Sequence, residues 1–102
     1  MNSSVESLIH GKNLGVSGKT LRALAHPLRM HLIAFIDEHG KINVNKIYRS
    51  LKLEQSLTSQ HLRILRDEKL VLTTREGKFI FYSVNYSRIK RIVELLDGFF
   101  AS

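Results

Sequence analysis

Five side chains near the middle of the chain have types and spacing that could read another molecule. Gln55, Ser56, Ser59, Gln60 and Arg63 fall on one side of a predicted helix. On the other side Leu57, His61 and Ile64, with Thr58, Leu62 and Leu65 beside them, repeat at i, i+3/i+4, i+7 spacing and predict a buried stripe. A merely solvated helix face is usually built from Glu and Lys. This one carries amides, hydroxyls and a single guanidinium. Short or forked hydrogen-bonding groups held on a rigid rod suit base edges and phosphate oxygens. The plain alternative is a polar surface helix without a partner, and the flanking sequence weighs against it.

Other chemistries find less support. The chain has no cysteine, which excludes disulfides, thiolate metal sites, thiol redox switches and a cysteine nucleophile. Five histidines (His10, His26, His31, His39 and His61) include no i, i+4 pair, and no carboxylate stands at a recurring ligand spacing. His26 precedes Pro27 at a helix start, a capping or packing position. His61, at the inner edge of the reading helix, can touch a phosphate or pack on the preceding helix. A nonstandard metal site joining His10 to His26 or His31 across a dimer stays open as an alternative. Ser, His and Asp occur without a nucleophile elbow, the acidic pairs Asp37/Glu38 and Asp67/Glu68 fit solvated helix ends, and no glycine-rich phosphate loop is present. These absences predict a non-enzyme with no cofactor.

The elements that would position the reading face lie in a basic setting. The net charge is +7 over 102 residues, and residues 41–91 hold 12 of the 16 Lys/Arg but only 4 of the 9 Asp/Glu. A polyanion is the natural partner. Apolar content of 43% fits one globular domain spanning residues 1–102. The longest aliphatic or aromatic run, residues 32–36, is too short for a membrane span, so no membrane partner and a cytoplasmic location are expected.

In chain order, residues 1–16 predict a short amphipathic helix with Val5, Leu8 and Ile9, broken at Gly11 and Gly15. Ser17 can cap a second helix running to Ala25, and Pro27 opens a third that ends at Gly40. Residues 41–43 read as an extended link. A helix over 44–51, a turn over 52–54 and the reading helix to about Lys69 form a helix-turn-helix. Strands over 71–75 and 78–84 meet at Glu76-Gly77, where glycine supplies the positive φ of a tight hairpin. Both faces of the second strand are apolar, leaving its orientation ambiguous. A last helix from about Ser87 presents Ile89, Ile92, Val93, Leu96, Phe99 and Phe100. With Val5, Leu8 and Ile9 these form the expected symmetric dimer interface. The fold class is mainly α with a small β-hairpin (α+β), a winged helix-turn-helix. In that arrangement the second helix enters the major groove and the hairpin follows the backbone or minor groove.

Leu24-Ala25-His26-Pro27-Leu28-Arg29, then residues 55–65, then Leu70-Val71, then Arg75-Glu76-Gly77-Lys78 with Phe81-Tyr82, together resemble the arsenic-repressor (ArsR/SmtB) family of bacterial winged-helix regulators. The likeness covers residues 20–85. It implies a homodimer that binds an imperfect palindrome in double-stranded DNA as a transcriptional repressor and is released by a signal. Gln55, Ser56, Ser59 and Gln60 are the expected base contacts. Arg63, Lys52, Arg75 and Lys78 are the expected phosphate contacts, with His61 beside them. Where soft-metal sensors of that family place Cys-Val-Cys, this chain has Asn43-Val44-Asn45, and the family's second site, on the last helix, lacks histidine. Amide oxygen is a poor substitute for thiolate toward a soft metal. Glu54 stands where the family often has a capping serine, which predicts a weaker cap on the reading helix. The rival reading is a winged helix serving acidic protein partners.

Overall fold

A computed structural model describes residues 16–101 and places in them five helices and a three-stranded antiparallel sheet. The predicted helix carrying Val5, Leu8 and Ile9, with His10, lies outside the described residues.

Local chemistry sets the helix ends. Helix α1, Gly18–Leu24, begins with a reciprocal capping box: the Thr20 N–H donates to Ser17 Oγ at 3.3 Å and the Ser17 N–H to Thr20 Oγ1 at 3.4 Å. Helix α2, Pro27–His39, starts on proline, and its N-cap is His26, whose Nδ1 accepts from the Leu28 N–H at 3.2 Å. Gly40, at φ +72°, ends it in the left-handed region that side chains avoid.

The extended link becomes a strand. Strand β1, Ile42–Asn43, pairs antiparallel with the later strand β3, Phe79–Val84, through Ile42 opposite Tyr82 and Asn43 opposite Phe81. Two residues are too few to show an alternating pattern, so nothing local announces this edge. Strand β2, Val71–Glu76, lies on the other side of β3, giving the order β1-β3-β2. Glu76 faces Phe79, so the hairpin turns on Gly77 and Lys78, with Gly77 at φ +63°. The ambiguity of β3 resolves here: Tyr82 and Val84 face the core with Val71, and Phe79 and Ile80 at the tip stay exposed.

Helix α3, Val44–Ser50, and helix α4, Gln55–Asp67, form the helix-turn-helix. The turn is closed by Lys52 at φ +54°, an uncommon conformation for a residue with a β-carbon. Helix α5, Tyr86–Ala101, completes the chain. The core joins Leu32 and Ile36 of α2, Ile47 of α3, Leu62 and Leu65 of α4, Leu70, Val71, Tyr82 and Val84 around the sheet, and Ile92 and Leu95 of α5. No helix among the described residues is long and apolar enough to cross a membrane.

Two expectations are corrected. The inner stripe of α4 centres on Thr58, Leu62 and Leu65, all 0% exposed, while Leu57 and Ile64 are 43% and 36% exposed. Thr58 tolerates that position because its hydroxyl donates to the Glu54 carbonyl at 2.8 Å, leaving no unpaired polar atom. On α5, Ile92 lies in the chain's own core, so it is not available to a partner as expected; Val93 and Phe100 are exposed instead.

Candidate nucleic-acid interface

The burial of Thr58, Leu62 and Leu65 turns the opposite side of α4 outward. Gln55, Ser56, Ser59, Gln60 and Arg63 are all exposed, so one rigid helix presents two amides, two hydroxyls and a guanidinium to solvent. Lys52 is exposed in the turn that leads into the same helix. The N-terminus of α4 follows the predicted weak cap. Glu54 makes no side-chain cap hydrogen bond, and its carboxylate accepts instead from the Ser56 hydroxyl at 2.6 Å. The first-turn N–H groups of α4 therefore have no side-chain acceptor and add a positive end to the face.

The wing supplies cations on a second arm. Arg75 and Lys78 are exposed on either side of Gly77, and Arg75 Nε donates to the Gly77 carbonyl at 3.3 Å, which steadies the turn. Lys78 Nζ lies 5.6 Å from the centre of the Phe79 ring. Lys41 and Glu76 form an ion pair at the sheet edge, so Glu76 is neutralised within the protein. Sequence reasoning passed over Lys46, Arg49 and Arg66, exposed cations on α3 and α4 whose only signal is the charge excess of residues 41–91.

Of the two expectations for His61, a phosphate contact or packing on the preceding helix, the second gives way to packing on α2. His61 is half-buried against α2: Arg29 Nε donates to its Nδ1 at 3.1 Å, and its ring lies 4.7 Å from that of His26. Burial first, then the neighbouring His26 and Arg29, hold its pKa below the ordinary imidazole value.

The asparagines at the positions of Cys-Val-Cys have structural partners. Asn43 Oδ1 accepts from the N–H groups of Asn45 at 2.7 Å and Lys46 at 3.3 Å, capping α3. Asn45 Oδ1 accepts from the Tyr48 hydroxyl at 2.6 Å. Hard amide oxygens already engaged in hydrogen bonds do not fit a soft thiophilic ion. Among the described residues no group of three or more His, Asp or Glu side chains converges on a point that could hold a metal. A shallow hollow of about 250 Å³ lies between α2 and α5, walled by Leu24, Met30, Ile33 and Ile89, with Asp37 and Tyr86 also lining it. The Tyr86 hydroxyl donates to Asp37 at 2.5 Å, and that bond, more than desolvation, raises its pKa.

Residues 26–72 match the pattern described as "Bacterial regulatory protein, arsR family". The transcriptional repressor PagR of Bacillus anthracis is 34% identical over 97 residues, covering 95% of this chain and 97% of that protein. The chain belongs to the arsR family. The transcriptional activator HlyU of Vibrio cholerae is 32% identical over 85 residues, covering 83% of this chain and 78% of HlyU. The crystal structure of PagR superposes with a TM-score of 0.65 at 36% identity, covering 76% of this chain and 88% of that one. The winged helix-turn-helix expected from the residue pattern is thus the architecture of arsR-family regulators.

Proposed function

We propose that this protein is a dimeric, sequence-specific transcriptional repressor that binds an imperfect palindrome in double-stranded DNA. The observation that carries the reading is the division of α4: Thr58, Leu62 and Leu65 are fully buried, and Gln55, Ser56, Ser59, Gln60 and Arg63 are all exposed opposite them. Gln55, Ser56, Ser59 and Gln60 read bases. Arg63, Lys52, Arg75 and Lys78 neutralise phosphates, and the wing tip reaches the flanking backbone or minor groove. Dimerisation uses the exposed side of α5, where Val93 and Phe100 stand 48% and 77% exposed, together with the N-terminal segment.

Repression is supported by the likeness to PagR, which spans nearly the whole of both chains. The likeness to an activator shows that the sign of regulation does not follow from the fold. The signal that releases DNA is not a metal held by thiolates, because the chain has no cysteine.

Selection on random oligonucleotides with purified protein tests the reading. Enrichment of two inverted half-sites about one helical turn apart (~34–36 Å), with affinity falling steeply as salt rises, is expected. No enrichment and no salt dependence would overturn it in favour of a module for acidic proteins. For the sign, a reporter driven through the enriched site should rise when the gene is removed; a fall makes the protein an activator.

A further inference from the structure

Arg29 has no role in the interface described so far, yet its guanidinium joins three elements. Nη1 donates to the carbonyls of Ala23 at 3.1 Å and Arg22 at 3.5 Å in the last turns of α1. Nε donates to His61 Nδ1, at 3.1 Å, in the middle of α4. A guanidinium only donates and does not lose its proton in proteins, so His61 Nδ1 must carry the lone pair and Nε2 the hydrogen. The same reasoning applies to His26, whose Nδ1 accepts from a backbone N–H.

The position of this tether matters as much as its chemistry. The C-terminal end of α4 is held by Glu68, which accepts from the buried Thr20 hydroxyl at 2.8 Å and whose carbonyl accepts from Arg88 Nε at 3.2 Å. The N-terminal end has no side-chain cap. Between them, the Arg29–His61 bond is adjacent in sequence to Gln60 and two residues from both Ser59 and Arg63.

We propose that Arg29 is a positioning residue for DNA reading: it sets α4 against the corner between α1 and α2 and fixes His61 as a hydrogen-bond donor at Nε2. The inference rests on the DNA-binding reading above. It also implies a proton dependence. The groups facing His61 are Arg29 and His26 from α2 and its cap. From α1 only carbonyls enter the cluster, through Arg29, and within α4 the positions one turn away (Leu57, Thr58, Ile64 and Leu65) do not ionise. A proton added at Nδ1 would meet the Arg29 N–H head on, with no acid in the cluster to compensate. Acid therefore releases the tether while adding positive charge to α4.

The test uses the full chain, a duplex enriched by it from a random library, and a random-sequence duplex of equal length, by fluorescence anisotropy at pH 7.5 and 5.5. R29K keeps the charge but loses the fork. It should bind the enriched duplex about tenfold more weakly at pH 7.5 and the random duplex within about twofold of wild type, as expected for loss of one fixed base contact. H61Q can still accept from Arg29 through its amide oxygen but does not titrate. Whatever its discrimination at pH 7.5, it should show the same discrimination at pH 5.5, whereas the wild type should lose discrimination at pH 5.5 as its random-duplex affinity rises. Equal losses on both duplexes for R29K, or full discrimination by it, would overturn the inference. So would an H61Q pH profile identical to that of the wild type, an arm that decides even if R29K does not fold. If the wild type enriches no sequence at all, the DNA-binding reading fails and takes this inference with it.

Discussion

Helices α4 and α5 are both amphipathic and of similar length, 13 and 16 residues, but they keep different groups in water. Helix α4 buries one aliphatic seam and exposes amides, hydroxyls and a guanidinium. Helix α5 carries two apolar seams. Ile92 and Leu95 are buried in the chain's own core, and the half-buried Ile89 and Leu96 pack against it. Ile89, Val93, Leu96 and Phe100 follow 4-3-4 spacing on an adjoining strip, and of these Val93 and Phe100 remain exposed. A 4-3-4 spacing is what a partner helix packs against. The difference teaches that one fold can keep two kinds of surface in water, with opposite chemical demands. The first suits a hydrated polyanion read group by group; the second suits an apolar match such as the same seam of a second copy.

The sharpest break between buried and reading faces comes from α4 itself. Leu62→Ala empties a fully buried position and should lower unfolding free energy by about 2–5 kcal/mol in urea melts. Phe100→Asp places a charge on the open seam of α5. It should weaken self-association by about 100-fold or more, roughly 3 kcal/mol, in sedimentation experiments. Its effect on unfolding of the separated chain should stay within about 0.5 kcal/mol, since the ring is 77% exposed. If Phe100→Asp leaves the oligomeric state unchanged, the outer seam of α5 is not the interface.

These two helices also mark how far the residue pattern alone could go. Wherever a neighbour in sequence did the work, the pattern was readable: Ser17, His26 before Pro27, Gly40 and Gly77 all sit at the ends expected of them. The polar side of α4 was equally plain, because its five residues differ in kind from a solvated Glu/Lys face. What could not be read depends on distant partners. Arg29 meets His61 across 32 residues and Thr20 meets Glu68 across 48, and neither pairing leaves a trace in local spacing. The roll of α4 about its axis differs from the expected stripe by one position: Thr58, its hydroxyl on the Glu54 carbonyl, lies at the centre of the buried side and Leu57 beside it is exposed. On α5 an apolar excess on two sides left no polar stripe to show which seam belongs to the core.

Within the DNA face, two smaller substitutions separate reading from positioning. Gln60→Ala should cost about 1–3 kcal/mol on the selected duplex if its contact is bidentate, and almost nothing on random sequence. Lys78→Ala should weaken both duplexes alike and flatten the plot of log affinity against log salt by about one unit. Equal losses on the two duplexes for Gln60→Ala would remove it from the base-reading set and leave α4 a purely electrostatic surface.

The smallest effect is on stability against pH, and its sign follows from His61. Its folded pKa lies below the ordinary imidazole value of about 6.5, chiefly because the ring is buried and then because His26 and Arg29 stand beside it. The unfolded chain thus takes up this proton more readily than the folded one. Stability from this site is complete above pH 6.5 and is lost as pH falls from there through the lower folded pKa. Urea midpoints for the wild type should decline over that window, and His61→Gln should remove part of the decline while leaving the midpoint at pH 8 nearly unchanged. A wild-type curve that instead rises on acidification, or a His61→Gln curve parallel to it, would mean that the ring accepts its proton freely beside Arg29. The tether between α2 and α4 would then lose its chemical basis.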